Sequence, residues 1–217
     1  GRKGKHLFLQ LDDGSRLWFH LGMTGQLLWR REREQENRHD HFMIAFEQSE
    51  EVLWYRDIRR FGHIFFCRDN DPLPSFLTFG PDPFEISAGE FVALFEKRSG
   101  NIKNLLLNQK ILSGLGNIYV NESLYRAGIR PTKPPCRVSR KSMEKLHAAI
   151  VEVLSEAIRC GGSSIDDYRH PDGTPGSFQK HHRVYAREGE PCFSCGAVIR
   201  KMELAARSSF FCGQCQK

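Results

Sequence analysis

Four cysteines stand near the end of this 217-residue chain: Cys192-Phe-Ser-Cys195, sixteen residues, then Cys212-Gly-Gln-Cys215. Two CxxC pairs at that separation can deliver four thiolates to one tetrahedral zinc, because each pair bends the backbone until both sulfurs face the same point. Two disulfides or four unused thiols are the plain alternatives. A segment this short has too little apolar surface to fold alone, so metal binding, on the order of 10–16 kcal/mol in small zinc modules, would supply its folding energy. One structural Zn2+ is therefore expected on Cys192, Cys195, Cys212 and Cys215. No HExxH helix suggests an open catalytic position, so chemistry must be sought elsewhere. The metal would hold up Gly196 to Phe211, whose VIRKMEL and SSFF runs alternate enough to form a hairpin, with Arg207 near its return. From residue 180 to 217 seven Lys or Arg stand against three Glu, a net of +4 that suits an anionic partner.

The rest of the chain has to position that finger. A formal charge of +6 fits a polyanion, without separating DNA from RNA or an acidic membrane face. No apolar run approaches a membrane span of about 18 residues. The three remaining cysteines, Cys67, Cys136 and Cys160, are odd in number and widely spaced, which suits a reducing cytosol. From Lys5 to Phe66 the pattern is β: Leu7, Leu9 and Leu11 alternate with other residues, Asp12-Asp13-Gly14 turns, and Leu17, Phe19 and Leu21 alternate again. FMIAF (42–46), VLWYR (52–56) and HIFF (63–66) add strands, giving a sandwich or barrel-like sheet. The charged interval from Arg30 to Arg38 reads as a solvated loop.

After the Pro-rich FGPDPFE (79–85), Ser87 and Glu90 have the form of a capping box ahead of the helical run FVALFEKR. Helices are expected over Asn101–Gln109 and Ile118–Ala127, separated by Leu112-Ser-Gly-Leu-Gly116 and closed by Gly128. Two helices joined by a glycine turn present backbone N–H groups at a helix start, a ready phosphate seat. Asn117 lies there, either as a plain N-cap or as a nucleic-acid contact. Ser139 opens the longest helix, with Met143, Leu146, Ile150, Val153, Leu154 and Ile158 on one core-facing stripe until Cys160-Gly-Gly162 stops it. GGSSIDDYRHPDGTPG (161–176) reads as a long mobile loop, of the kind that is often functional.

These pieces together resemble the formamidopyrimidine-DNA glycosylase family of base-excision repair enzymes along the whole chain. The carriers are HLGMTG (20–25), RHDHF (38–42), DIRRFG (57–62), LSGLGNIYVNESLYRAGIRP (112–131), DGTPGSFQ (172–179), VYAREGEPC (184–192) and the terminal CGQCQK. The resemblance implies a multidomain α+β fold: a β-sandwich over 1–82, a helical domain with a helix-two-turn-helix and lesion-recognition loop over 85–178, and a zinc-finger hairpin over 183–217. It implies damaged double-stranded DNA as partner, a monomer, and a bacterial cytoplasmic, nucleoid-associated home with no membrane attachment.

In the family, three side chains fill the gap left by a flipped base; they match Met23, Arg59 and Phe61. A thioether and an aromatic wedge replace lost stacking, while a guanidinium bonds the orphaned base. Taken alone, Met23 and Phe61 would be ordinary core residues. Lys5, His39, Arg98, Asn117 and Arg207 match phosphate-gripping positions, and Lys5 and Arg207 also match groups assisting strand-cleaving eliminations. Arg98 falls where a lysine is usual, which keeps the charge and alters the geometry. The 163–178 loop matches the one closing over the extruded base.

The family begins with a proline nucleophile followed by a glutamate acid, and neither stands in this chain. Gly1-Arg-Lys-Gly-Lys5 matches an internal strand entrance instead, so the sandwich is expected to be truncated, with a segment ahead of Gly1 in the natural protein and no catalytic activity in this chain as it stands. The expected activity of the whole is removal of oxidised purines, 8-oxoguanine and formamidopyrimidines, with nicking of the abasic strand. Its rivals are a relative acting on oxidised pyrimidines, a non-catalytic binder of lesions or abasic sites, and a generic zinc-ribbon nucleic-acid module.

Overall fold

The computed structural model of the chain describes residues 1–31, 37–47, 49–69, 71, 74–165 and 170–217. Two compact units form: residues 1–73 with 157–180, and residues 74–156 with 181–217. The fold is α+β, with a β-sandwich, a helical domain and a cysteine-bearing hairpin. Among the described residues no helix is long and apolar enough to cross a membrane.

The first unit holds two antiparallel sheets. Strands β1 (Arg2–Lys3), β2 (His6–Gln10), β3 (Arg16–His20) and β7 (His63–Cys67) form one in the order β1-β2-β3-β7. Strands β4 (Gly25–Arg31), β5 (Asp40–Ala45) and β6 (Glu51–Asp57) form the other in the order β4-β6-β5. The ring of Phe19 on β3 meets that of Phe42 on β5 at 6.5 Å, tying the sheets face to face. β6 is central and buried on both sides, with Leu53 and Tyr55 on the face that Phe42 shares and Val52 and Trp54 on the other. Its VLWY run is therefore continuously apolar rather than alternating.

Two strands go beyond the expected set. β1 has only two residues, and β4, GQLLWRR, carries adjacent leucines and a tryptophan with no clean period of two. The loop expected from Arg30 to Arg38 lies mostly outside the described residues. Arg30 and Arg31 belong to β4, and the Arg30 guanidinium reaches Asp40 at 3.4 Å.

The second unit is built on α1 (Ala88–Glu96), α2 (Ile102–Leu107), α3 (Asn117–Ala127) and the first 17 residues of α4 (Arg140–Arg159). Ser87 and Glu90 close a full capping box on α1. Asn101 caps α2 by accepting from the Asn104 N–H and Asn108 ends it in extended backbone, so that helix is shorter than the sequence pattern suggests. Gly128, left-handed at φ 74°, ends α3. Phe91, Phe95, Ile102, Leu106, Leu112, Leu115, Val120, Leu124, Leu146 and Ile150 form one fully buried core. The α4 stripe holds through Val153, but Ile158 is 69% exposed. It stands one residue from the helix end, beyond the reach of that core, and the expectation that it is buried is corrected.

Strands β8 (Ile199–Leu204) and β9 (Arg207–Cys212) pair as a hairpin. Ala205 and Ala206 make the turn at φ 49° and 56°, a left-handed pair that glycine or asparagine adopts more easily. Tyr125 of α3 joins Val184, Cys192, Ile199, Phe210 and Cys212 in a second small core, so the hairpin is rooted on the helical domain.

Candidate nucleic-acid interface

In the first unit, two loops carry Met23, Arg59 and Phe61. The turn after β3 presents Met23, 69% exposed, and the loop after β6 presents Arg59 and Phe61, the latter 50% exposed. Met23 and Phe61 are held out in solvent rather than packed in a core, and the Arg59 guanidinium contacts both. The Arg59 Nη1 lies 3.6 Å from Met23 Sδ, and the guanidinium carbon lies 4.7 Å from the Phe61 ring centroid. The loops interlock closely enough to require glycine. A Cβ on Gly22 would lie 2.8 Å from the Gly62 nitrogen, and one on Gly62 would lie 1.8 Å from the Tyr55 hydroxyl. Arg60, between the two exposed side chains, sits at φ 57°, a strained value for a non-glycine residue.

Lys5 is exposed in the tight turn between β1 and β2. His6, His20 and His63 stand in cross-strand register beside it, the first two with rings 4.7 Å apart. Burial foremost, then the neighbouring His63 and Lys5, push His20 below the ordinary imidazole value. His39 is half-buried just before β5, where Arg38 Nε donates to its Nε2 at 3.0 Å. The adjoining Asp40 takes two bonds from Arg56, at 2.7 and 3.0 Å, and these with Asn37 N–H hold its carboxyl below the usual range although burial pushes the other way.

In the second unit, Gly116 rather than Asn117 is the N-cap of α3. The plain-cap reading of Asn117 is corrected: it is the first helical residue, and its Nδ2 donates to the Ser208 carbonyl at 3.0 Å. The buried Lys103 of α2 donates to the same carbonyl at 2.7 Å and to Ser209 Oγ at 2.6 Å. Asn121 accepts from Phe210 N–H at 2.8 Å. Three residues of α2 and α3 thus grip successive residues of β9 immediately after the exposed Arg207. Burial, then the charge of Arg207, push the Lys103 ammonium down to about 8. Arg98, exposed after α1, turns its Nε back onto the Leu94 carbonyl at 2.7 Å.

The entry to the hairpin is fixed by a buried carboxylate. Glu122 accepts from the N–H groups of Arg183, Val184 and Tyr185 at 2.9, 3.0 and 2.8 Å. Burial raises its pKa while those three bonds work against the rise.

The Sγ atoms of Cys192, Cys195, Cys212 and Cys215 all lie within 4.8 Å of one another, with Cys192–Cys215 at 3.9 Å and Cys195–Cys212 at 3.5 Å. A tetrahedral ion at about 2.3 Å from each sulfur would set them about 3.8 Å apart. The donor set and its spacing fit one structural Zn2+. The Tyr125 hydroxyl lies 3.2 Å from Cys192 Sγ, an outer-shell contact from α3.

Residues 1–64 match the formamidopyrimidine-DNA glycosylase N-terminal domain, residues 79–169 the formamidopyrimidine-DNA glycosylase H2TH domain, and residues 189–217 the zinc finger found in FPG and IleRS. A formamidopyrimidine-DNA glycosylase of Solibacter usitatus is 43% identical over 216 residues, covering 100% of this chain and 79% of that protein. The chain belongs to the formamidopyrimidine-DNA glycosylase family. A relative from Thermus thermophilus is 39% identical over 222 residues, covering 99% of the chain and 80% of the relative. A Lactococcus lactis FPG mutant in complex with Fapy-dG-containing DNA superposes with a TM-score of 0.91 at 37% identity, covering 100% of this chain and 80% of that one. A complex of Lactococcus lactis Fpg with DNA containing an abasic site gives 0.91 at 36% identity, with the same two coverages.

Within this glycosylase fold, sequence reasoning passed over the residues that hold others in place: Thr24, Asp57, Lys103, Asn121 and Glu122. All are buried and polar. Their signal in the sequence was their setting inside the quoted motifs, or for Lys103 a cation in the otherwise apolar run IKNLLL.

Proposed function

We propose that this protein is a base-excision repair glycosylase that binds damaged double-stranded DNA, removes oxidised purines such as 8-oxoguanine and formamidopyrimidine, and nicks the resulting abasic strand. The observation that carries the reading is the exposed contact set of Met23, Arg59 and Phe61. Apolar and planar side chains of that size are held in solvent, already touching, where they would pack into the gap a flipped base leaves in the stack. Met23 and Phe61 replace the lost stacking, and Arg59 hydrogen-bonds the orphaned partner base.

Lys5, His39, Arg98, Asn117 and Arg207 bind the phosphates around the lesion. Lys5 and Arg207 also stabilise charge during the eliminations at the abasic sugar, where a fixed cation near a leaving phosphate lowers the barrier. The zinc holds the hairpin that carries Arg207, and takes no part in the chemistry. The protein works as a monomer at the bacterial nucleoid.

Duplexes carrying one 8-oxoguanine, one formamidopyrimidine or one oxidised pyrimidine, incubated with the protein as its gene encodes it, test the substrate class. Faster cleavage of the first two supports the purine reading. Preference for the oxidised pyrimidine, or no cleavage of any, would overturn it.

A further inference from the structure

One buried carboxylate, Asp57 at the end of β6, is bonded to both loops that carry Met23, Arg59 and Phe61. Its Oδ2 accepts from Gly62 N–H at 2.7 Å and from the Tyr55 hydroxyl at 3.1 Å, closing the loop that bears Arg59 and Phe61. Its Oδ1 accepts from the Thr24 hydroxyl, whose oxygen in turn accepts from Arg59 N–H at 3.0 Å. Thr24 follows Met23 directly, so this two-bond relay ties the Met23 turn to the Arg59 backbone. The Asp57 backbone reaches a third segment: its N–H donates to His39 carbonyl at 3.0 Å, and its carbonyl lies 2.9 Å from His41 Nε2. Burial raises the Asp57 carboxyl, but the bonds from Thr24, Gly62, Tyr55 and Arg59 together hold it below the usual carboxylate range, so it is ionised at neutral pH.

We infer that Asp57, acting through Thr24, is a positioning residue that presets the Met23–Arg59–Phe61 wedge in the free protein and thereby sets the selectivity for a gapped stack over an intact one. The inference rests on the gap-filling role given to those three residues above. Asp57 is fully buried, so its effect on DNA binding is indirect. It lowers the ordering cost of insertion, because loops already in their working shape lose less conformational freedom on binding. A carboxylate suits the place because it only accepts: an asparagine would turn its NH2 either toward the Gly62 N–H and the Tyr55 hydroxyl or toward the Thr24 hydroxyl, all of which donate to Asp57.

The test measures dissociation constants for duplexes with and without an abasic analogue, for wild type, Thr24→Val, Thr24→Ser and Asp57→Asn. The readout is the ratio of the two constants, with 2-aminopurine fluorescence opposite the gap reporting insertion. Thr24→Val keeps the size of the side chain and removes the relay; it should cut the ratio about tenfold, with a matching loss of the fluorescence response, and Thr24→Ser should restore both. Asp57→Asn should cut the ratio at least as far if it folds. A purely structural role would weaken both affinities in proportion, and a folded Thr24→Val that keeps the wild-type ratio would overturn the inference. A wild type with no preference for the gapped duplex sinks the gap-filling reading itself, and this inference with it, so the two failures are told apart in the first measurement.

Discussion

At the residue scale the geometry turns on close approaches, one of which leaves no room for a side chain at all. Gly62 has the Tyr55 hydroxyl 1.8 Å from where its Cβ would stand, with the His20 carbonyl at 2.6 Å. Gly62→Ala is predicted to cost about 1–3 kcal/mol, the range for overpacking a close-fitted site. Urea unfolding checks this, and an unchanged midpoint would show that the loops give way more easily than their contacts imply. Lys103 is the other case. Its ammonium is buried beside Arg207, and its pKa is lowered to about 8 from an ordinary value near 10.5. Between those two values the unfolded chain binds more protons than the folded one, so this group makes stability rise as pH climbs from about 8 toward 10.5. Duplex binding should move oppositely, because a positive charge beside Arg207 and a tie to β9 are being lost. Affinity should fall from pH 7 to pH 9 more steeply in wild type than in Lys103→Met; identical pH profiles would remove Lys103 from the account.

At the element scale, the hairpin is tied at the Glu122 carboxylate at its entry and at the Lys103, Asn117 and Asn121 contacts on β9, and its four clustered cysteines fit a metal as a third tie. The helical core has its own apolar packing and does not draw on the metal. Chelation should therefore release the amide protection of β8 and β9 while that of α1 and α3 persists. Hydrogen exchange read by mass spectrometry distinguishes this from loss of protection throughout, which would mean that hairpin and helices fold as one. Glu122→Ala strands three N–H groups at once, that of Val184 buried and those of Arg183 and Tyr185 partly so, and should cost about 2 kcal/mol or more, each unsatisfied buried donor carrying about 1–3 kcal/mol. A change under 1 kcal/mol would show that water replaces the carboxylate.

What the sequence made legible follows from which interactions are local. CxxC spacing, the Ser87–Glu90 capping box and the Gly128 stop are set within a few residues, and each appears where the pattern places it. Asn117 was ambiguous because its partner, Ser208, lies 91 residues away, and no local pattern records such a bond. Asp57 and Thr24 were passed over for the same reason, being 33 residues apart. β4 was missed because its residues alternate poorly, and Ile158 was misjudged because a helical stripe says which face it lies on, not how far the core extends. Met23 and Phe61 look like core residues by type; their exposure appears only once the glycine-dependent loops hold them out.

At the scale of the whole molecule, the proposed duplex binding draws on cations of each unit and on the Met23, Arg59 and Phe61 set of the first. If Lys5, Arg98 and Arg207 each neutralise one phosphate, log affinity for duplex should fall against log salt with a slope of about −3, at about 0.9 per contact. Replacing any one of them by alanine should bring the slope nearer zero by about 1, and slopes that do not change would take that residue off the backbone. Salt dependence alone would suit any basic protein. The decisive measurement is the dissociation constant of the zinc-loaded protein for duplex containing an abasic analogue against the same duplex intact, at one salt concentration. The account predicts tighter binding to the gapped duplex by at least tenfold, with the difference abolished when Met23, Arg59 and Phe61 are all replaced by alanine. Equal affinity for the two duplexes in the unaltered protein would contradict it.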